Sequence, residues 1–588
     1  MSAPQGPPRL GRAPRVVRRA WIPAPLAVAA AVMGTGAAGC GEGPAPRSAV
    51  LITLDTTRLD ALGVFGGPQG LTPNLDALAA RSLRYEWART VAPLTLPAHA
   101  SMMTGLYPPR HTARGNGPSV LPAEAVTLAE EARAAGFQTA AFVACLALDR
   151  ALGIDQGFDT WSQPAATLER RVGEIADRPG GEVVGEALGW LASRDPRRPF
   201  FLWVHLFDPH APYEPQPRFP GAPSPYHGEV AAMDAAVGRL LDAIEAQPGL
   251  AEEVFVAVVA DHGEGLGDGG EATHGLLLRD ATVRVPLLLR YRDGWGAGKT
   301  SNETVSVADV GPTLLEAMGL AVREGLDGIS LYRRSVPAER GVYFESYDGW
   351  RRYGWSPLAG WADAEGKYVR GARDELHRTR ADPREVDDVL ARGEPLPRRY
   401  AEGIAALARR RALPSAGDRT VGDEVLAAMA ELGYGATYDR PPSYPAPFEV
   451  QGRPDPRDSL AESTAVDRAR DLALAGDHAA ARAILEAVHD ANPYDTTALD
   501  LLAEVLIALG EHRPAVAVLR ARLVLPPEQI ATHRDLVRCF TALGDAAQRR
   551  VHSLRALELL IETHERRGEH EEAARYRELL EGARAEGG

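Results

Sequence analysis

The stretch that decides the fold spans residues 49–55 and has the sequence AVLITLD, a short apolar run that ends on an aspartate. Such a run, rich in aliphatic and β-branched residues, predicts a strand buried on both faces. Similar runs occupy residues 200–207, 254–260 and 285–291. Helical patterns separate them, at residues 127–135, 182–193 and 229–246. Strands that alternate with helices predict a layered α/β fold around a largely parallel sheet.

Polar residues stand where two of these predicted strands end. Asp55 follows the first strand, and Asp261 and His262 follow the strand at 254–260. The carboxyl ends of parallel strands line the ligand crevice of an open sheet, so these side chains are expected to meet there. Two carboxylates and an imidazole form a suitable nest for a divalent cation. The competing interpretation is an ordinary turn or helix cap at each strand end.

Thr95 supplies a third polar element. It opens the segment 95–104, which predicts a helix with the Thr95 hydroxyl at its N-terminus. Free N–H groups and the helix dipole favour negative charge at that position. The alternative is that Thr95 only caps the helix.

Composition limits the classes of function. The chain has 588 residues, is 45% hydrophobic and carries a formal net charge of −14. No overall basic field would attract nucleic acid or an anionic membrane, so an anionic substrate requires a local site. The three cysteines, Cys40, Cys145 and Cys539, allow at most one disulfide.

The first 39 residues have the order of an export signal. Five arginines are followed by an apolar run at 25–33 and then by small residues up to Cys40. Residues 37–40, AAGC, resemble the lipobox of bacterial lipoproteins. We therefore expect an exported periplasmic or outer-membrane lipoprotein that touches the membrane only through a lipid anchor. An ordinary cleaved signal is the alternative.

The C-terminal tail has an internal period. Gly476, Gly510 and Gly544 lie 34 residues apart, and so do Pro493 and Pro527. This pattern resembles tetratricopeptide repeats, all-α arrays whose concave surface binds protein partners. A generic helical bundle is the alternative.

The predicted organisation is a signal at 1–39, a linker at 40–47, a catalytic domain at 48–383, a connecting region at 384–458 and repeats at 459–588.

Several motifs occur together in a fixed order. They are LDTTRLD at 54–60, TPNLD at 72–76, TLPAH at 95–99, MTGLYP at 103–108, DPHAPY at 208–213, DHGE at 261–264 and RVP at 284–286. Their order resembles the sulfatase family of the alkaline-phosphatase superfamily. The resemblance implies an α/β/α sandwich that hydrolyses an anionic sulfate or phosphate ester.

The resemblance also implies residue roles. Asp55, Asp261 and His262 match metal ligands, for a divalent ion such as Ca²⁺, Mg²⁺, Mn²⁺ or Zn²⁺. Thr95 falls at the nucleophile position. His210 matches a histidine that contacts the sulfate group, and His274 lies near a substrate-binding lysine.

The chain departs from the family at several of these positions. The nucleophile motif of true sulfatases, C-x-P-x-R, here has Thr95, Pro97 and His99, and threonine cannot be oxidised to formylglycine. A second metal-binding aspartate is replaced by Thr56. A Lys-Trp-His segment is replaced by residues 144–146, ACL, and a further histidine by Gly269.

These departures leave several hypotheses open. The first is a hydrolase with a Thr95 nucleophile, as in nucleotide pyrophosphatases and lipoteichoic acid synthases. A phosphodiester or phosphoglycerol transferase of the cell envelope is the second, and a non-catalytic binding protein on the same fold is the third. A two-metal site built from His205, Asp208 and His274 is a further alternative.

Overall fold

A computed structural model describes residues 47–117, 119–164, 177–214, 217–414, 444–446, 449–450, 452–566 and 568–585. The expected signal, Cys40 and the rest of the expected linker before Arg47 lie outside these described residues, as does much of the connecting region. Within the described residues, no helix combines the length and the apolar character needed to cross a membrane.

The core of the molecule is an eight-stranded sheet. Its strands are β1 (Ala49–Leu54), β2 (Leu83–Arg89), β3 (Gln138–Phe142), β4 (Thr160–Ser162), β5 (Phe200–Leu206), β6 (Phe255–Ala260), β7 (Arg284–Arg290) and β8 (Thr300–Ser306). They lie in the order β4-β3-β5-β1-β6-β7-β2-β8. Every pairing is parallel except the two made by β7, which runs antiparallel to β6 and β2. The predicted parallel character is confirmed, with one reversed strand.

Helices cover both faces of this sheet. They are α1 (Pro73–Ala79), α2 (Thr95–Thr104), α3 (Pro108–His111), α4 (Leu128–Ala134), α5 (Gly180–Ser193), α6 (Pro225–Glu245), α7 (Leu250–Glu253), α8 (Asp280–Val283) and α9 (Val310–Ala317). Helix α6 contacts both α1 and α5, while α2, α4 and α9 contact one another. Every residue of β1, β5 and β6 is buried, which requires cover on both sides. The predicted α/β/α sandwich is confirmed.

A smaller antiparallel sheet follows. It contains β9 (Val342–Ser346), β10 (Leu358–Ala362), β11 (Lys367–Arg370) and β12 (Glu375–His377), in the order β12-β11-β10-β9. Helix α10 (Asp348–Tyr353) lies between the first two strands, and α11 (Arg398–Ala408) contacts β10. The segments 342–345 (VYFE) and 366–369 (GKYV), whose sequences predict further strands, correspond to β9 and, from Lys367, to β11.

The tail is entirely helical over its described residues. Its helices are α12 (Pro456–Leu474), α13 (His478–Ala491), α14 (Thr496–Ala508), α15 (His512–Val524), α16 (Ile530–Ala542), α17 (Ala546–Arg566) and α18 (His570–Ala585). Gly476, Gly510 and Gly544 follow the ends of α12, α14 and α16 with φ of +83°, +75° and +72°. Glycine adopts this left-handed conformation without steric cost, so it ends each helix in the same way. The all-α repeat arrangement is confirmed.

The tail packs directly on α10 of the preceding region. Asn492 donates from Nδ2 to the carbonyl of Tyr353 at 2.8 Å and to Glu462 at 2.6 Å. The indole of Trp355 donates to the same Glu462 carboxylate at 3.0 Å. The Arg453 guanidinium lies 3.6 Å from the ring centroid of Tyr494, near enough for a cation–π contact. Tail and α10 therefore share a polar and aromatic interface.

Candidate active site

The sheet register explains why Asp55 and Asp261 meet. Leu54 of β1 pairs with Ala260 of β6, so the next residue of each strand leaves the sheet at the same level. The amide of Asp261 donates to the carbonyl of Leu54 at 3.3 Å, which continues this pairing. Both aspartates are fully buried. Two adjacent strands therefore deliver two carboxylates to one point.

The residues predicted as metal ligands lie together. One ligand atom each of Asp55, Asp261 and His262 lies within 4.8 Å of the other two. His262 donates from Nδ1 to the carbonyl of Gly263 at 3.0 Å, which leaves a lone pair on Nε2. That Nε2, Asp55 Oδ1 and Asp261 Oδ2 are all buried without a hydrogen-bond partner. Unpartnered anionic and lone-pair atoms at this spacing fit a divalent cation.

Burial sets the charge state of this group. It raises the pKa of Asp55 to about 7. The pKa of Asp261 is also well above its usual range, through burial and then through the negative charge of Asp55. Burial lowers the pKa of His262, which favours the neutral, metal-binding imidazole. Two buried carboxylates that lie close together repel each other when both are ionised. A nearby cation therefore stabilises their ionised form.

Thr95 is the first residue of α2, as the sequence predicts. Its hydroxyl is buried, has no hydrogen-bond partner and lies beside the Asp55 carboxylate. The N-cap of α2 is Leu94, and neither Leu94 nor Thr95 caps this helix through its side chain. The helix-cap interpretation of Thr95 is therefore wrong, and its hydroxyl is left for another purpose.

The two predicted substrate-binding histidines are neighbours. The rings of His210 and His274 lie 5.2 Å apart, and those of His274 and His262 lie 4.4 Å apart. His274 Nδ1 lies 3.2 Å from the carboxylate of Glu264. Burial alone would lower the pKa of His274, but Glu264 outweighs it and raises the pKa to about 9. His274 is thus the protonated histidine of the site.

Three residues that the sequence analysis did not place at the metal group also lie there. His205 Nε2 is 3.1 Å from Asp55 Oδ2, and His99 Nδ1 is 3.7 Å from Asp261 Oδ2. Cys145 contributes a buried thiol next to Asp55 and His205. Of these three residues, Cys145 could have been found from the sequence, because it lies only three residues beyond the end of strand β3.

The alternative site of His205, Asp208 and His274 is not formed. Among the described residues, no group of three ligands at metal-binding distance includes Asp208 or His274. Asp208 instead accepts a hydrogen bond at 3.0 Å from the amide of Gly180, at the start of α5.

Thr56, at the position of the missing aspartate, has a strained backbone. Its φ is +44°, in the left-handed region that β-branched residues rarely adopt. Its amide donates to Asp261 at 3.3 Å, and Tyr226 donates to its carbonyl at 2.9 Å. These two bonds hold the bend that turns the chain after Asp55.

A hydrogen-bond chain links α2 to α10. The amide of Leu96, next to Thr95, donates to Asn116 Oδ1 at 2.9 Å. Arg351 of α10 donates to the carbonyl of the same Asn116 at 2.8 Å and to Asp348 at 2.7 Å. The N-terminus of the helix that carries Thr95 is therefore fixed from the side on which the tail packs.

Comparisons with known proteins agree with this fold. A sequence model of the sulfatase family matches residues 47–320, and a tetratricopeptide-repeat model matches residues 472–531. Arylsulfatase A of Bos taurus is 30% identical over 353 residues, which span 49% of this chain and 67% of the relative. The chain belongs to the sulfatase family.

Two further relatives show how far the likeness extends. The ulvan-active sulfatase of Formosa agariphila is 28% identical over 336 residues, which span 49% of this chain and only 65% of that protein. The crystal structure of the phosphonate monoester hydrolase of Agrobacterium radiobacter superposes with a TM-score of 0.50 and 22% identity, over 62% of this chain and 93% of that one. At that identity, the second similarity concerns the fold.

Proposed function

We propose that the protein is a metal-dependent hydrolase of anionic esters with Thr95 as its nucleophile. One observation carries the proposal. The Thr95 hydroxyl is buried, unpartnered and placed at a helix N-terminus beside Asp55. A buried hydroxyl without a hydrogen bond is costly, so a site that keeps one favours a role in chemistry.

Asp55, Asp261 and His262 would hold the cation. A bound divalent ion would lower the pKa of the Thr95 hydroxyl and neutralise oxygens of the transferred group. The N-terminus of α2 adds partial positive charge on the same side. Because the net charge of the chain is −14, the protein as a whole would not attract an anion. The positive charge at this site is what would bind an anionic ester.

The proposed covalent step uses Thr95 and His274, both of which interact with Asp55. Thr95 Oγ1 gives up its proton to solvent and forms a bond to phosphorus as the bond from phosphorus to the leaving oxygen breaks. His274, held through Nδ1 by Glu264, gives its proton to that oxygen. Water then attacks the phosphothreonine, which releases hydrogen phosphate and restores the Thr95 hydroxyl, and His274 regains a proton from solvent. His210 stacks on Phe207 with ring centroids 4.2 Å apart and lies next to His274.

Phosphorus esters suit this site better than sulfate esters. Hydrolysis of a phosphothreonine by water is available at a metal site. A sulfated formylglycine hydrate can leave by elimination, whereas a sulfated threonine has no such route. The preferred substrate class is therefore a phosphate monoester or diester.

Trapping the covalent intermediate tests the proposal. The protein is turned over with an aryl phosphate, an aryl phosphodiester and an aryl sulfate, each with a panel of divalent metals, and is quenched in acid. We expect one phosphoryl group on the peptide that contains Thr95, and none in Thr95→Ala. Clear preference for aryl sulfate would overturn the choice of phosphorus. Transfer to added glycerol would indicate a transferase.

We also propose that the protein is exported and anchored through Cys40. The support is the basic and apolar leader followed by AAGC at 37–40. Mass analysis of the mature N-terminus should find a lipidated Cys40. A chain that starts at Met1 would exclude export by this signal.

We propose further that the repeats bind a protein partner, since stacked helical repeats commonly present such a surface. Affinity capture from the source organism with the full chain, compared with a chain that ends before Pro456, should recover a partner only with the full chain. Equal recovery by both chains would rule out the repeats as its binding site.

A further inference from the structure

A second cluster of metal-binding side chains adjoins the carboxylate pair. Strands β3, β5 and β1 are neighbours and run parallel. Phe142 of β3 pairs with Val204 of β5, and His205 of β5 pairs with Thr53 of β1. The strand ends therefore bring Cys145, His205 and Asp55 side by side at one edge of the sheet.

The distances within this cluster are those of a metal site. One ligand atom each of Asp55, Cys145 and His205 lies within 4.8 Å of the other two, and the same is true of His99, His205 and Asp261. All five residues are fully buried. The two groups share His205, and each includes one carboxylate of the first site.

Two lone pairs in the cluster have no partner. His99 donates from Nδ1 to the carbonyl of Thr95 at 2.8 Å, so its Nε2 carries the lone pair. His205 Nε2 lies 3.1 Å from Asp55, which can only accept, so its Nδ1 carries the lone pair. Both His99 Nε2 and His205 Nδ1 are buried without a hydrogen-bond partner. A buried lone pair without a donor is a costly arrangement that a cation relieves.

The thiol completes the set. Cys145 precedes the short 3₁₀ helix Leu146–Leu148, and its sulfur lies within 4.8 Å of a ligand atom of Asp55 and of His205. Burial and the negative charges of Asp55 and Asp261 raise the pKa of this thiol well above its usual range. A bound cation deprotonates a coordinating thiol, and the thiolate is the form that binds metal. Imidazole nitrogen and thiolate sulfur select a borderline or soft ion such as Zn²⁺ rather than Mg²⁺ or Ca²⁺.

We propose that Cys145, His205 and Asp55 hold a second cation of the Zn²⁺ class, which shares Asp55 with the first, while His99 and Asp261 lie on the other side of His205. This site goes beyond the proposed function and depends on it only through the shared Asp55. Shared carboxylates are usual between two ions that act on one substrate group. The second ion would also neutralise the buried negative charge on the sheet side of the first site.

Cobalt reports directly on the thiolate. The purified chain is loaded with Zn²⁺ or Co²⁺ and freed of excess ion. Metal per chain is then measured by mass spectrometry, and absorbance by near-ultraviolet spectroscopy. We expect two ions per chain and a thiolate-to-cobalt charge-transfer band. Cys145→Ser should remove the band and lower the count to one, whereas Cys539→Ser, at the other described free cysteine, should change neither.

The outcomes separate this site from the proposed function. One ion per chain without a thiolate band would overturn the second site and leave the first intact. The cluster would then serve only as hydrogen-bonding support for Asp55. No bound ion at all would also contradict the metal dependence of the proposed function. The wild-type count and band need no variant, so the test holds even if His99→Gln or His205→Gln fails to fold.

Discussion

The catalytic region and the tail are built by contacts of opposite range. In the catalytic region, β1 pairs with β5 and β6, which begin about 150 and 200 residues later in the chain. In the tail, each helix contacts mainly the next one, from α12 to α18. A site of converging side chains therefore arises where distant strands end together, and a repeated surface arises where neighbours stack. The proposed chemistry and the proposed partner binding accordingly fall in different regions.

The largest expected effect comes from removing the Thr95 hydroxyl in the catalytic region. Thr95→Ala should lower kcat/KM for an aryl phosphate by about a hundredfold or more, because covalent attack disappears. Thr95→Ser keeps a hydroxyl and should retain part of the activity. Steady-state kinetics decide this, with Thr104→Ser at the other end of α2 as the control. Near wild-type activity of Thr95→Ala would exclude Thr95 as the nucleophile.

Weakening the metal group should have an effect of similar or smaller size. Asp261→Asn is expected to lower activity by about a hundredfold at limiting metal, with partial recovery at excess metal. The exposed Asp242→Asn in α6 is the matched control and should behave like wild type. Activity that persists after exhaustive chelation in the wild-type protein would contradict the metal dependence.

A change in the tail interface should affect stability instead. Asn492 is 1% exposed, and Asn492→Ala leaves the Tyr353 carbonyl and Glu462 without its two hydrogen bonds. We expect a loss of about 1–3 kcal/mol in the free energy of unfolding and unchanged turnover. Chemical denaturation measures the loss, with the exposed Asn302→Ala as control. A large loss of turnover at full folding would show that the tail interface acts on the catalytic site.

The smallest expected effects come from two glycine-to-alanine substitutions, one in the tail and one in the catalytic region, which should change stability in opposite directions. Gly510 has φ of +75°, so Gly510→Ala should destabilise the tail by about 1 kcal/mol. Gly185 is exposed within α5, and a Cβ there would meet no atom within 4 Å. Gly185→Ala should therefore stabilise by about 0.5–1 kcal/mol. Thermal unfolding compares the two, and equal signs would contradict the helix-ending role of Gly510.

The sequence predicted the buried elements best. The apolar runs at 49–54 and 254–260 correspond to β1 and to β6, which begins at Phe255. Strand β8, with the sequence TSNETVS, carries no apolar run because it lies at the edge of the sheet. The reversal of β7 was not predicted, since strand direction depends on long-range pairing rather than on local pattern.

The residues of the candidate site also fall into two sets, those that local sequence pattern reveals and those that only long-range strand pairing brings together. Asp55, Asp261 and Thr95 could be proposed because each stands at a strand end or helix start that local pattern reveals. His205 lies inside β5 and His99 within α2, where a polar residue gives no sign of what it faces. Only the register of β3, β5 and β1 brings these histidines and Cys145 to the same point.

The link from the tail to Asn116 has a consequence for how such a protein can be recombined. Asn492 and Glu462 of the tail bind Tyr353 and Trp355, which flank the end of α10, and Arg351 of that helix reaches Asn116. A repeat array transplanted from another protein would lack Asn492 and Glu462. Grafting a different array onto this catalytic region therefore requires redesign of residues 348–355 as well. The boundary of an exchangeable module runs through α10 and not through the preceding loop.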